Sequence, residues 1–212
     1  MKTISLLLPL LITSCSFIGI QSEEGPKYKV LKKESQFEIR QYEPYIVAKT
    51  TVRGDFKEST RKAFRILAGY IFGKNKGEKK ISMTSPVEIE SSSSKIPMTS
   101  PVEMSYSDGN YTMAFSMPSK YSIDTLPKPL DERIKFEEIP QKIIASHQYS
   151  WLSSKKRNDK KAEELRKWLK KQTNYKVLSN YRYAGYNPPW TIPFFRRNEV
   201  HILIEVINLN TK

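Results

Sequence analysis

The apolar residues of this chain change period twice, in the same order each time. Around Ile46, Ala48, Thr50 and Val52 they fall on alternate positions, as on a strand with one buried face. From Phe56 to Ile71 they recur at helical spacing, and alternation returns at Tyr111, Met113, Phe115 and Met117. The sequence then repeats itself in outline: strand patterns over 133–139 and 142–151, a helical pattern over 154–172 with Ala162, Leu165, Trp168 and Leu169 inward, and strand patterns over 175–186 and 198–206. Strands, helix, strands, met twice within 212 residues, predict an α+β domain of two similar halves.

The first helix has legible ends. Asp55 with Glu58 three residues on is a capping-box-like start, the helix should run to Phe72, and Gly73 supplies the stop. Phe56, Thr60, Ala63, Leu67, Tyr70 and Ile71 share the arc expected to face the core. Phe64, Ala68 and Phe72, four apart, form a second apolar ridge at its edge, with Arg61 and Arg65 beside it. An earlier strand is expected at 37–40. Between the halves lies a near-duplication, Ile81-Ser-Met-Thr-Ser-Pro-Val-Glu-Ile89 and Ile96-Pro-Met-Thr-Ser-Pro-Val-Glu-Met104, which predicts a hairpin with its prolines at edges or bulges.

The N-terminus stands apart from this pattern. Lys2 precedes an apolar run from Ile4 to Ile12, too short to span a bilayer, and Thr13-Ser14-Cys15 follows. The ending resembles the lipobox of bacterial lipoproteins, so residues 1–14 are expected to be a signal, Cys15 to carry lipid, and 15–26 to act as a tether to a domain over 27–206 with a tail at 207–212. Ser16 after the cysteine implies the periplasmic side of the outer membrane where the source has one. Lys2 is the only charge in residues 1–14, so nearly all of the formal +14 belongs to the domain. That field attracts anions, yet export makes nucleic acid the least suitable partner, and the charge is spread rather than gathered in an arm.

Catalytic constellations are scarce. No Gly-x-Ser-x-Gly turn occurs, and Gly69 to Asn75 imitates a phosphate loop but is one residue short and lacks the Ser/Thr. The two histidines, His147 and His201, stand in different strands without cysteines or paired carboxylates beside them, so no metal site is expected. The five methionines after the initiator lie between Met83 and Met117; axial ligation of haem iron is conceivable, but filling of a sheet core is expected.

A binding surface is the chemistry that remains. Phe64, Ala68 and Phe72 offer a flat apolar strip bordered by Arg61 and Arg65, suited to a planar hydrophobic dianion. In Asn187-Pro-Pro-Trp190-Thr-Ile-Pro193-Phe-Phe195 the prolines stiffen the backbone, so Trp190, Phe194 and Phe195 can form a second wall, with Arg196 and Arg197 facing carboxylates. The competing expectation has these aromatics plugging the end of the fold and the arginines pairing locally.

Phe37-Glu-Ile-Arg-Gln-Tyr-Glu-Pro-Tyr45, Tyr70-Ile-Phe-Gly-Lys-Asn75, Lys80-Ile-Ser-Met-Thr-Ser-Pro-Val87, Phe115-Ser-Met-Pro118, Tyr183-Ala-Gly-Tyr-Asn-Pro-Pro-Trp190 and Arg196-Arg-Asn-Glu-Val200, in this order, resemble the SOUL haem-binding family over about residues 27–205. The resemblance implies a distorted antiparallel β-barrel of about eight strands flanked by two α-helices, with pseudo-two-fold internal symmetry. It also implies noncovalent binding of haem or another porphyrin in a groove along the first helix and the C-terminal loop, here Arg61, Phe64, Leu67, Ala68 and 187–197. Some members carry a histidine after the arginine of the first block; this chain has Gln41, so weak or open iron ligation is expected. The expected function is non-enzymatic tetrapyrrole binding by an envelope lipoprotein, with membrane contact through lipidated Cys15. Two rivals stand beside it: a sensor or hydrolase for other flat aromatics, using Glu88 and Glu103, and a basic protein binding anionic lipid.

Overall fold

The computed structural model describes residues 24–91 and 109–207. Among the described residues nine strands form one antiparallel sheet, and two α-helices cover one of its faces. In chain order the elements are β1 (Tyr28–Glu34), β2 (Phe37–Tyr42), β3 (Tyr45–Arg53), α1 (Phe56–Ile71), β4 (Val87–Ser91), β5 (Asn110–Ser116), β6 (Lys135–Ile139), β7 (Lys142–Tyr149), α2 (Lys155–Leu169), β8 (Tyr175–Gly185) and β9 (Asn198–Val206).

The sheet order, β1-β2-β7-β9-β8-β4-β5-β3-β6, contains the expected two-fold repeat. In the first half β3, α1, β4 and β5 follow one another, with β5 between β3 and β4; in the second β7, α2, β8 and β9 do the same, with β9 between β7 and β8. The halves join through β4 and β8, paired at Val87↔Gly185 and Ile89↔Tyr183. Each half also lends the other a strand, since β2 pairs with β7 and β6 with β3. The sheet is open between β1 and β6, so the α+β class and the two helices match expectation while the barrel implied by the resemblance is not closed.

Capping fixes both helices. The Asp55 side chain accepts from the Glu58 amide at 2.9 Å, and Ser154 does the same for Arg157 at 3.3 Å. Helix α1 stops where Gly73 takes φ +113°, a conformation that disfavours other residues. Ala63, Leu67, Tyr70 and Ile71 of α1 pack with Ala48, Val52, Met113 and Phe115, making one core. Leu165, Trp168 and Leu169 of α2 pack with Ile39, Ala145, Val200 and Ile202, making the other. The paired register Thr50↔Met113↔Ile89↔Tyr183 carries one face of the sheet from the first core to the second, so both helices lie on that face.

Two strand expectations change. In the first copy of the duplication only residues 87–89 enter β4, while 81–86 run as a buried link in which the Ser85 amide donates to the Glu24 carbonyl at 2.9 Å rather than to a strand. Pro86 has no amide to extend the ladder. The second copy lies outside the described residues, as do Cys15 and the tail beyond Ile207. Strand β1 escapes the periodicity altogether, because all seven of its residues are exposed and none must be apolar.

Candidate functional site

Helix α1 has a dry side and a wet one, and the expected groove residues divide between them. Leu67 is 0% exposed and belongs to the core, and Ala68 is nearly covered. Phe64 stands at the margin, its ring edge-on to buried Phe115 with centroids 5.6 Å apart, while Phe72 is 63% exposed. Phe64 and Phe72 are two exposed rings about 12 Å apart along the axis, with Ala68 as the floor between them. Arg61 and Arg65 are exposed alongside, and neither makes an ion pair among the described residues.

The strip continues where sequence gave no signal. The loop after α1 is clamped to the segment before β6: the Lys76 amide donates to the Lys128 carbonyl at 2.8 Å, the Leu130 amide to the Lys74 carbonyl at 3.3 Å, and Asn75 bridges Pro129. Buried Asn75 organises this loop, its amide nitrogen donating to the carbonyls of Tyr70 at 2.9 Å and Lys79 at 2.7 Å. Leu130 is thereby held exposed near the end of α1, amid exposed Lys74, Lys76 and Lys128. A leucine in a loop has no periodicity to betray it.

The 187–197 loop belongs to the second half and rests on the link between β7 and α2. The Trp151 amide donates to the Pro193 carbonyl at 2.8 Å, the Asn198 side chain donates to the Trp151 carbonyl at 2.8 Å, and the rings of Trp151 and Phe194 meet at 4.8 Å. Trp151 itself takes φ +89°, a conformation that costs a bulky residue on the order of 1–3 kcal/mol. Trp190, Phe194 and Phe195 are 60, 64 and 51% exposed. Their arginine neighbours are engaged locally: Arg196 Nε donates to the Thr191 carbonyl at 2.8 Å, and Arg197 Nη2 to Glu199 Oε1 at 2.7 Å while its guanidinium lies 4.1 Å from the Tyr186 ring. The local-pairing expectation thus describes Arg196 and Arg197, whereas the aromatics face outward.

The face of the sheet away from the helices holds a buried charged centre. Arg40 on β2 forms a fork with Glu199 on β9, at 2.7 and 3.0 Å, and its Nε reaches Glu38 at 2.7 Å. Glu199 also accepts from Tyr186 at 2.8 Å, and its Oε2 lies 2.7 Å from His201 Nε2. Glu88 on β4 lies 3.8 Å from His201 and 3.7 Å from Arg182. Arg40 and Glu199 are almost fully buried on the face away from both helices, where the Tyr28 ring lies 4.6 Å from the Arg40 guanidinium and Tyr186 and Arg197 lie against Glu199. Burial works to raise the Glu199 carboxyl, but the His201 hydrogen bond and the charges of His201 and Arg40 hold it well below its usual range. For Glu88 burial is likewise outweighed, by His201, Lys142 and Arg182, and its pKa falls to about 2.

Both histidines are interior. His147 packs against Phe37 at 4.4 Å with Nδ1 3.2 Å from the Lys161 carbonyl, and burial lowers its pKa. Met113 and Met117 are buried beneath α1 and Met83 packs against the same core. Gln41 lies on β2, on the half of the sheet that α2 covers. An open cavity of about 510 Å³ between residues 24–27, 43–46, 117–121 and 138–140 includes none of the expected binding residues.

Comparison with known proteins gives consistent matches. Residues 23–203 match the family described as SOUL heme-binding protein. Heme-binding protein 1 of Xenopus tropicalis is 30% identical over 192 residues, covering 90% of this chain and 95% of the frog protein. Human heme-binding protein 2 is 28% identical over 190 residues, covering 86 and 87%. Among solved structures, the EcmrR C-terminal domain superposes with a TM-score of 0.56 at 14% identity over 80% of this chain and 97% of that one. A Listeria innocua protein described as a hydrolase superposes at 0.51 with 9% identity over 82 and 94%. At such identities these two share the fold alone.

Proposed function

The chain belongs to the SOUL heme-binding protein family, and on that premise we propose that it binds haem or a related tetrapyrrole noncovalently on the exposed face of α1. One observation carries the placement: Phe72, largely uncovered, and Phe64, about a third exposed, stand beside two arginines that no carboxylate of the described residues neutralises. A planar macrocycle lying along α1 covers the rings, and its propionates meet Arg61 and Arg65, or Lys74, Lys76 and Lys128 at the far end. Apolar contact supplies the affinity and charge-assisted hydrogen bonds the orientation.

The side chains argue for binding by shape and charge rather than by an iron bond. His147 and His201 are enclosed on the second half, and the family position that carries histidine in some members holds Gln41, also on that half. A tetrapyrrole on α1 therefore relies on surface and propionate contacts, and iron-free porphyrin is an equivalent ligand. The reaction class is binding, without a bond made or broken. Of the two carboxylates expected to serve a hydrolase, Glu88 is engaged by Arg182 and His201 on the opposite face of the sheet, and Glu103 lies outside the described residues.

An envelope location accompanies this reading. The lipobox-like ending at Cys15 supports an acylated, exported protein whose domain stands off the membrane on residues 16–26. Labelling with a radioactive fatty acid, lost on Cys15→Ser, tests the anchor. Absorbance titration of the purified chain with hemin tests the binding face. Saturable binding that weakens in Phe64→Ser/Phe72→Ser supports it; unchanged affinity in that variant rejects the placement.

A further inference from the structure

The placement of the tetrapyrrole on α1 leaves one large apolar feature unused, carried by the turns that follow β7 and β8. Trp151, Leu152, Trp190, Ile192, Phe194 and Phe195 are all exposed, and they come from two turns that hydrogen bonds stitch together. Six large apolar side chains gathered at one end exceed the single exposed residues normal for a soluble surface. Packing does not explain them, because the contact between Trp151 and Phe194 leaves both rings open on their other sides.

The surroundings identify what covers them. Helix α2 begins three residues after Leu152 with Lys155, Lys156 and Arg157, and no acidic residue lies in its first turn. Lys155 pairs with Asp159 one turn on, at 2.8 Å, whereas Lys156 and Arg157 oppose the helix dipole, so helix stability does not account for those two. Arg157 is turned back onto the Leu152 carbonyl, at the foot of the aromatic cluster, while Lys156 and Lys160 are exposed. Tryptophan and phenylalanine on a stiff, proline-bearing loop beside a basic helix end match the boundary of a bilayer, where aromatic rings enter the headgroup level and lysines meet phosphates. The left-handed Trp151 backbone, a conformation unfavourable for a bulky residue, brings its ring against Phe194 within the cluster.

We propose that this aromatic cluster docks peripherally on an anionic lipid bilayer, independently of any acyl chain and of the tetrapyrrole face. Among the described residues no helix is long and apolar enough to cross a membrane, so the contact is interfacial insertion by side chains.

The test uses the full chain carrying Cys15→Ser, so that no lipid anchor contributes, with phosphatidylcholine vesicles prepared with and without phosphatidylglycerol. The expected result is co-flotation with phosphatidylglycerol vesicles and quenching of tryptophan fluorescence by bromine-labelled acyl chains. Trp190→Ser/Phe194→Ser/Phe195→Ser should lower the partition at least about tenfold, as loss of three buried rings requires. Phe72→Ser should partition as the parent does. Where the triple variant fails to fold, as judged by near-ultraviolet circular dichroism, Trp190→Ser alone replaces it and should weaken binding several-fold. Undiminished vesicle binding by the folded loop variants overturns the proposal, as does binding without bromine quenching, which marks adsorption by charge alone. Hemin titration of the same variants separates the two readings: loss of hemin binding with unchanged vesicle binding returns the loop to the tetrapyrrole site and also overturns docking.

Discussion

Replacing Glu199 with Gln keeps the shape of the side chain and removes the charge on which the buried centre converges. Glu199 Oε1 accepts from Arg40 Nη2 at 3.0 Å and from Arg197 Nε and Nη2 at 2.9 and 2.7 Å. Oε2 accepts from Arg40 Nη1 at 2.7 Å and Tyr186 at 2.8 Å and sits 2.7 Å from His201. A Gln amide presents an NH₂ group to donors on one side and leaves two guanidiniums without their shared counter-charge; Arg40 keeps only Glu38. Removing one partner of a buried pair costs about 3–5 kcal/mol. For a chain of this size that lowers the thermal midpoint by about 6–20 °C. Urea titration should show a lower midpoint at unchanged slope. Arg40→Met should cost less, because Arg197 still neutralises Glu199, and the double variant should lose less than the sum of the two. A loss below about 1 kcal/mol for Glu199→Gln would refute the claim that this centre is dry and mutually supporting.

Other outcomes follow from the same geometry. Folded-state pKa values of Glu88 and Glu199 lie below the ordinary 4.5, so each contributes fully above that pH and the contribution is lost as pH falls, toward about 2 for Glu88. His147, lowered from 6.5 by burial, adds an earlier arm: its contribution is full above pH 6.5 and is lost on acidification below it. Denaturation midpoints measured across pH should therefore fall in two stages, the second flattened by Glu199→Gln. Phe72→Ser removes a ring about two-thirds uncovered in the free protein and should weaken porphyrin binding by about 1–2 kcal/mol, or about 5- to 30-fold, without lowering the thermal midpoint. Arg61→Glu/Arg65→Glu should weaken hemin binding more than binding of a porphyrin diester, measured by tryptophan quenching. Asp55→Ala should destabilise the fold by about 1 kcal/mol in urea through loss of the bond to the Glu58 amide.

The two helices and their repeat were legible from apolar spacing, with Asp55 and Gly73 marking the ends of the first and Ala162, Leu165, Trp168 and Leu169 the inward face of the second. Ridge residues Phe64 and Phe72 and their arginines were legible for the same reason, since helical spacing alone divides the faces. Leu67 stood in both the core and the groove, and packing against β3 and β5 gave it to the core. The charged centre was not legible. In the alternation of 198–206, Glu199 and His201 occupy the face that lies away from the helices, and the partners that enclose Glu199 there, Arg40, Tyr186 and Arg197, come from other elements. Strand patterning also ran the seventh strand through Trp151, whereas it ends at Tyr149 and Trp151 turns away at a positive φ to meet Phe194. That pairing joins residues 43 positions apart, beyond any local period.

Parallel titration with hemin and with protoporphyrin IX most directly tests the claim that shape and propionate charge hold the ligand on α1. Equal stoichiometry, affinities within about threefold of each other (under 1 kcal/mol) and a common loss in Phe64→Ser/Phe72→Ser are the expected result. A large gain for the iron-bearing ligand that survives those substitutions would contradict the account and place the ligand elsewhere.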